Sequence, residues 1–229
     1  MSKVSVLIPA HNEEQTIAHT VRAVLAIPEV SEVIVVDDAS IDRTAAVARA
    51  AGAQVISLFR NRGKGGALNR GVAAVQGDIV LLLDADLEGT AVEAGKLLRP
   101  LLEGTADMAI AAFPPPRRKG GFGVVRGLAR FGIRRFTGLK LRSPLSGQRA
   151  LTREALAAVL PFAHGYGVEV AMTVAAARHG LRIVEVPVQM RHRETGRNIA
   201  GFRHRGRQLR DVARTLWQCY VRYRKGSTK

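Results

Sequence analysis

The strongest constraint on the fold is a regular alternation of strand-like and helix-like segments in the first half of the chain. Four short apolar runs rich in β-branched residues predict strands, at residues 4–9, 33–36, 54–58 and 78–83. Helical periodicity separates them, at residues 13–26, 42–51 and 64–75, with Ser40 as the expected cap of the second helix and Gly52 at its end. Because the runs are apolar throughout, both faces of each strand are expected to be buried. The pattern predicts an α/β fold with a doubly wound, mainly parallel sheet and helices on both faces.

The second half of the chain has a less regular pattern. Further helices are predicted at residues 122–136, 152–160 and 168–178, with a strand near residues 182–190. Residues 113–121 combine three prolines, three cations and two glycines, which indicates a mobile loop. Residues 202–223 space apolar side chains along one helical face with arginines among them, so the tail is predicted to be a basic amphipathic helix.

The net charge of +16 is concentrated in one half of the sequence. Residues 1–112 contain 10 Lys and Arg against 14 Asp and Glu, whereas residues 113–229 contain 25 against 5. Such a field attracts nucleic acid, anionic lipid headgroups and phosphorylated small molecules alike. Only 5% of residues are aromatic and no zinc-finger, RNP or helix-turn-helix motif is present, which disfavours a nucleic-acid-binding protein but leaves it as an alternative.

Cysteine content and hydropathy bear on location. The single cysteine, Cys219, cannot form an internal disulfide, and no charged-then-apolar leader opens the sequence, so a reducing, cytoplasmic setting is expected. The longest apolar runs, such as residues 79–83, fall far short of the roughly 20 residues that span a bilayer. Any membrane contact is therefore expected to be peripheral, at the inner face.

Polar residues follow each of the four predicted strands, where ligands bind in open α/β sheets. They are Pro-Ala-His-Asn-Glu-Glu at residues 9–14, two acids at 37–38, Asn-Arg-Gly-Lys-Gly-Gly at 61–66 and Asp-Ala-Asp at 84–86. Taken singly, the acids could be helix caps and the glycine-rich stretch an ordinary turn. Lys64 suits phosphate or sugar hydroxyls at a helix N-terminus, although the Walker A spacing is absent. Asp84 and Asp86 offer the carboxylate oxygens that Mg²⁺ or Mn²⁺ prefers, and the bound ion could neutralise a diphosphate leaving group.

These four motifs, in this order, resemble the signature of family 2 glycosyltransferases of the GT-A fold. Within that family the chain is similar to polyprenyl-phosphate (dolichyl-phosphate) sugar transferases and glucosyl-3-phosphoglycerate synthases. The resemblance implies a UDP- or GDP-sugar donor and a Mg²⁺ or Mn²⁺ cofactor. It assigns nucleotide-sugar binding to Pro9, Ala10, Asn12, Glu13, Asp38, Lys64, Asp84 and Ala85, and a catalytic and metal-binding role to Asp86.

The second half resembles the family less closely but adds three segments. Ser146, Gly147 and Gln148 are similar to the acceptor-side segment of these enzymes, with an ordinary loop as the alternative. Glu169 follows a Gly-Tyr-Gly-Val stretch found in the phosphoglycerate-type relatives and is the expected catalytic carboxylate. His192 is the expected second metal ligand, and residues 194–201 are expected to close over the donor.

The sequence therefore predicts one GT-A domain over residues 1–229. Residues 1–112 form its nucleotide-sugar-binding half, residues 113–200 its acceptor-side half and residues 201–229 a basic C-terminal helix. The predicted reaction moves a sugar to a phosphorylated acceptor, either a polyprenyl phosphate or a phosphoglycerate-like molecule, with peripheral contact to an anionic membrane surface. A nucleotidyltransferase is disfavoured, because those enzymes typically open with a glycine-rich, arginine-containing loop that residues 9–14 do not match.

Overall fold

The computed structural model describes residues 2–114, 123–163, 165–191 and 199–224, and the side chains of the last segment at residues 206 and 208–222. A seven-stranded sheet in the order β3-β2-β1-β4-β6-β5-β7 forms its centre. The strands are β1 Val4–Ala10, β2 Val30–Asp37, β3 Gln54–Ser57, β4 Ile79–Leu82, β5 Met108–Ala112, β6 Arg149–Thr152 and β7 Ile183–Pro187. The ladders are parallel except the two that β6 makes with β4 and β5. The predicted α/β class with a doubly wound, mainly parallel sheet is confirmed.

Helices cover both faces of the sheet, as predicted. They are α1 Ile17–Leu25, α2 Thr44–Ala50, α3 Gly63–Gly71, α4 Gly95–Leu102, α5 Gly123–Thr137, α6 Arg153–Val159, α7 Val168–Arg178 and α8 Ile199–Arg224. One apolar core joins the sheet to α1, α2 and α4, and a second joins it to α3, α6 and α7. A third, smaller core lies between α5, α7 and α8, so α5 and α8 cover the outer side of α7.

Three elements were not expected from the sequence. The helix α4, the alanine-rich strand β5 and the short strand β6 have no predicted counterpart. The helix predicted to begin at Thr152 begins one residue later, because Thr152 ends β6 and caps α6 by accepting a hydrogen bond from the amide of Ala155 at 3.1 Å. The strand β6 then runs antiparallel between β4 and β5, with Leu82 opposite Arg149.

The expected cap of α2 is wrong. The hydroxyl of Ser40 accepts a hydrogen bond from the amide of Asn12 at 2.9 Å instead, and α2 begins only at Thr44. Asp42 accepts hydrogen bonds from the amide of Thr44 at 2.9 Å and from the amide of Glu14. The residues after β2 are therefore used to join two loops, which a local helix-start pattern cannot reveal.

Two predicted loops lie largely outside the described residues. Residues 115–121 of the expected mobile loop and residues 194–198 of the expected closing loop belong to this part of the chain, as does His192. Within the described residues, no helix has both the length and the apolar character needed to cross a membrane.

Candidate active site

The segment after β1 is joined to the segment after β2 at the carboxyl ends of the strands. Asn12 has a left-handed backbone conformation, with φ of 57°, and its side-chain oxygen accepts a hydrogen bond from the amide of Ile41 at 2.9 Å. The ring Nδ1 of His11 lies 2.9 Å from the carbonyl oxygen of Asp38. Glu13 accepts a hydrogen bond from the hydroxyl of Thr16 at 2.9 Å, while Ala10 is buried. These contacts give the rim of the predicted nucleoside site a defined shape.

Asp38 joins the same rim to the segment that begins α3. The side chain is buried, and its two carboxylate oxygens accept hydrogen bonds from the amides of Arg62 and Gly63, at 2.7 and 2.8 Å. Gly63 adopts φ of +70°, which favours glycine. Charge-assisted hydrogen bonds of this kind are strong. The predicted nucleoside-binding residue Asp38 therefore also fixes the backbone from which Lys64 projects.

Lys64 is the centre of the charged cluster. Its Nζ lies 2.6 Å from Oδ1 of Asp84, after β4, and 3.0 Å from Oε1 of Glu169, at the start of α7. Burial alone would lower the pKa of Lys64, but the negative charges of Asp84 and Glu169 and the hydrogen bonds to both outweigh it and raise that pKa. Lys64 is therefore a permanent cation between two predicted site carboxylates.

The predicted acceptor-side residues meet this cluster from the far side. Nε2 of Gln148 donates a hydrogen bond to Oδ2 of Asp84 at 2.6 Å, and the hydroxyl of Ser146 donates to Oε1 of Gln148 at 3.3 Å. Gly147 passes so close that an added Cβ would collide with Nζ of Lys64 and lie 3.0 Å from an oxygen of Asp84. Only glycine leaves Lys64 in its observed position.

Arg149 is a site residue that the sequence reasoning missed. Its side chain is fully buried, and it donates hydrogen bonds to the carbonyl of Ser146 and the hydroxyl of Thr173, both at 2.9 Å, and to the carbonyl of Pro144 at 3.4 Å. Burial lowers the pKa of Arg149 to about 10, against the raising effect of Glu169, so the group is still charged at neutral pH. A charged residue is ordinarily expected on the surface, so the sequence gives no signal that Arg149 is buried.

Arg149 should therefore contribute strongly to stability. We expect Arg149→Ala to lower the free energy of unfolding by about 2–4 kcal/mol, because it opens a cavity and leaves buried carbonyls without donors. Urea denaturation measures this change. The matched control is Arg99→Ala, which removes an exposed arginine paired with Glu103 just after α4 and should leave the urea midpoint almost unchanged. Equal midpoints for Arg149→Ala and the wild type would contradict the assignment.

The described residues fit a hard cation bound mainly by water and substrate. Asp84 and the partly exposed Asp86 supply carboxylate oxygens at the end of β4, while Ala85 between them is buried. No group of three or more His, Cys, Asp or Glu side chains in the described part of the chain could form a metal cage by itself. Mg²⁺ and Mn²⁺ suit such a site, since Mg²⁺ in particular is usually held by one or two carboxylates together with waters and substrate phosphates.

Together, the sheet, the ordered strand-end motifs and the carboxylate cluster define a nucleotide-sugar glycosyltransferase of the GT-A type. The chain belongs to glycosyl transferase family 2, whose model matches residues 5–160. It is 35% identical over 195 residues to the glucosyl-3-phosphoglycerate synthase of Mycobacterium tuberculosis. That alignment covers 75% of this chain but only 60% of the mycobacterial protein. It is also 30% identical over 216 residues to the uncharacterised protein MJ1222 of Methanocaldococcus jannaschii, covering 88% of each chain.

Solved structures of relatives agree with this assignment. The crystal structure of the Mycobacterium tuberculosis glucosyl-3-phosphoglycerate synthase with Mn²⁺, UDP and glucosyl-3-phosphoglycerate matches with a TM-score of 0.80 at 32% identity, covering 95% of this chain and 80% of that one. Another structure of the same enzyme contains Mg²⁺ and UDP. The predicted GT-A fold and enzyme class are confirmed, and the predicted choice of Mg²⁺ or Mn²⁺ agrees with these relatives.

Proposed function

We propose that this chain transfers a glycosyl group from a UDP-sugar to a phosphate-bearing acceptor in a reaction that depends on Mg²⁺ or Mn²⁺. The observation that carries the proposal is the cluster in which Lys64 bridges Asp84 and Glu169 while Gln148 holds Asp84. It joins the predicted donor and acceptor segments at one point. UDP is favoured over GDP because the mycobacterial relative was crystallised with UDP and UDP-glucose.

We assign binding of the donor to residues 1–112 and binding of the acceptor to residues 113–200. Nucleoside binding is assigned to the rim formed by Pro9, Ala10, Asn12, Glu13 and Asp38. Lys64, Asp84 and Ala85 would contact the sugar and diphosphate, where the charge of Lys64 opposes that of the phosphates. The hydrogen bond between Asn12 and Ile41 and the two that Asp38 accepts at the start of α3 support this assignment, because they hold the rim in shape before the donor binds.

Asp86 and His192 are proposed as the protein ligands of the metal. When bound, the ion supplies positive charge against the diphosphate as the glycosidic bond breaks. The chain itself would place Asp86 in the turn that follows the buried strand β4, two residues after Asp84. Asp84 in turn is fixed by Lys64 and Gln148.

Ser146, Gly147 and Gln148 are proposed to line the acceptor side, and Glu169 is proposed as the catalytic carboxylate. An oxygen of the acceptor forms the new bond to the anomeric carbon while the bond from that carbon to the diphosphate breaks, and the nucleoside diphosphate leaves. Glu169 is buried and accepts from Lys64, which suits a group that orients a reactant. If the attacking oxygen belongs to an acceptor phosphate, it is already ionised at neutral pH and needs no general base. If it belongs to a hydroxyl of the acceptor, its proton passes to Glu169 or to the departing diphosphate.

Two acceptor classes remain within the proposal. A phosphoglycerate-like acceptor is favoured by the mycobacterial relative, one of whose structures contains phosphoglyceric acid. A polyprenyl phosphate is favoured by the basic second half of the chain, and peripheral contact with an anionic membrane surface belongs to this version.

We also propose a reducing, cytoplasmic setting, since Cys219 is the only cysteine. The alternatives of a non-enzymatic nucleic-acid-binding protein and a nucleotidyltransferase find no support in the family match.

A two-part assay tests the proposal. Calorimetric titration of UDP, GDP and their glucose and mannose derivatives, each with and without Mn²⁺, should show metal-dependent binding of the UDP series. Transfer from the bound donor should then be followed with 3-phosphoglycerate and with a polyprenyl phosphate in detergent, and with glycerate and the free polyprenol as their phosphate-free counterparts. Absence of binding by every nucleotide would refute the donor assignment, and transfer only to acceptors without a phosphate would refute the acceptor class.

A further inference from the structure

The arginines of α5 and α8 form a strongly basic outer layer. The sequence of α5 has four arginines and no acid: Arg126, Arg130, Arg134 and Arg135. On the described part of α8, Arg210, Arg214 and Arg222 are exposed. The single acid of α8, Asp211, accepts a hydrogen bond from the amide of Tyr166 and lies 3.5 Å from Arg210. Little negative charge is left on this layer to oppose the arginines.

Large apolar side chains are exposed among these arginines. Phe131 and Val124 on α5 are each 69% exposed, and Trp217 on α8 is 65% exposed. Spacing along α8 places Arg210, Arg214, Trp217 and Val221 on one stripe, because they are separated by four, three and four residues. The stripe lies opposite the buried positions of α8, such as Val212 and Cys219. These exposed apolar side chains do not pack in the core of the protein.

The two helices present one continuous surface. Gly132 of α5 packs directly against Leu216 of α8, where an added Cβ would collide with the leucine side chain. Leu209 and Tyr220, seven residues before and four after Leu216, share its side of α8 and are each 38% exposed. We call a set of ten exposed residues on these two helices the α5–α8 face. It consists of Val124, Phe131, Arg134, Arg135, Leu209, Arg210, Arg214, Trp217, Tyr220 and Val221.

We propose that the α5–α8 face docks on an anionic lipid bilayer, with Phe131 and Trp217 in the interfacial region and the arginines at headgroup phosphates. Amphipathic helices with apolar and aromatic side chains among Arg and Lys bind membrane surfaces in this way, and tryptophan is enriched at the interface. A second copy of the chain is a poor partner, because a symmetric contact would place arginines against arginines. The phosphates of a nucleic acid would pair with the arginines, but Phe131 and the exposed valines of both helices would have no apolar partner.

The inference deepens the proposed function, on which it rests for the acceptor, since it favours a lipid-borne phosphate. Only the helix α7 separates the α5–α8 face from the candidate active site. Val170 and Val174 of α7 pack against α5 and α8, and the same helix begins with Val168 and Glu169. The turn before α7 is also held by α8, because Tyr166 donates to Asp211. Docking would therefore place the acceptor side of the site close to the bilayer.

The single tryptophan of the chain makes the test direct, because its fluorescence reports only on this face. The full-length protein is mixed with vesicles of phosphatidylcholine alone or with added phosphatidylserine. We expect the emission of Trp217 to shift to the blue and the protein to sediment only with the anionic vesicles. We also expect about fivefold weaker binding in Arg214→Gln and at least tenfold weaker binding in Phe131→Ser. The control is Phe59→Ser, which removes a fully exposed aromatic near Arg60 and Arg62, just after the edge strand β3, and should bind as the wild type does.

Several results would overturn the proposal. They are an unchanged emission with anionic vesicles, equal binding by Phe131→Ser and the wild type, tighter binding to RNA or DNA than to vesicles, and a dimer that Phe131→Ser disrupts. Thermal unfolding of each variant confirms that it is folded. Binding of UDP without vesicles is measured in parallel, so failure to dock and failure of the glycosyltransferase proposal give different results.

Discussion

Replacing Asp86 by alanine is expected to remove the metal dependence of UDP binding and to lower glycosyl transfer by roughly three orders of magnitude. Asp86 is partly exposed and lies just beyond the buried strand β4, so it can present hard oxygen donors to a cation beside the diphosphate. Asp84 is a less selective target, because Lys64 and Gln148 both depend on it. Calorimetry with and without Mn²⁺, followed by a transfer assay, measures both effects.

The matched control is Asp78→Asn at the opposite end of β4. Asp78 is exposed and accepts a hydrogen bond from the amide of Lys3 at 3.0 Å, far along the strand from the proposed metal. This variant should bind UDP with the metal dependence of the wild type. If Asp86→Ala also retained that dependence, the metal would have to be held elsewhere and the proposed role of Asp86 would be wrong.

The variant Gly147→Ala is expected to reduce transfer by about 100-fold while the protein remains folded. Its Cβ would collide with Nζ of Lys64, which is the far end of a flexible side chain and can move aside. Lys64 would then leave Asp84 and Glu169, and the site would lose a preorganised cation, an effect that costs about two orders of magnitude in comparable sites. The measurements are a transfer assay and a thermal unfolding curve on the same preparation.

A second glycine provides the comparison for this variant. Gly127 on α5 has no atom within 4 Å of an added Cβ, so Gly127→Ala should retain full transfer activity. Loss of both activity and fold in Gly147→Ala would indicate a structural role alone. Full activity in Gly147→Ala would show that the observed position of Lys64 is not required.

The parts of the fold that the sequence revealed are those with a strong local pattern. The strands β1 to β4 are rich in valine, isoleucine and leucine, and all four were predicted within a few residues of their observed bounds. The strand β5, with the sequence Met-Ala-Ile-Ala-Ala, has little β-branched character, and β6 has only four residues. Their strand conformation is decided by the neighbouring strands in the sheet, which no local window contains.

The same division holds for the candidate site. The position of each motif could be predicted because ligands gather at the carboxyl ends of strands in such sheets. The pairings between motifs could not, since Lys64 and Glu169 are more than a hundred residues apart in the chain and Gln148 and Asp84 are separated by 64. The burial of Arg149 could not be predicted for a related reason, because its partners come from α7 and from the segment before β6.

The antiparallel pairing of β6 with β4 limits which changes in sequence can alter substrate preference. The ladder sets Leu82 opposite Arg149, so the chain leaves β4 toward Asp84 at the same end of the sheet at which it enters β6 from Gln148. The distance between the donor carboxylate and the acceptor segment is thus determined by backbone hydrogen bonds and not by loop length. Side chains at positions 146 and 148 can diversify during evolution without altering that distance, whereas insertion of a single residue between Gly147 and β6 would shift the whole acceptor segment.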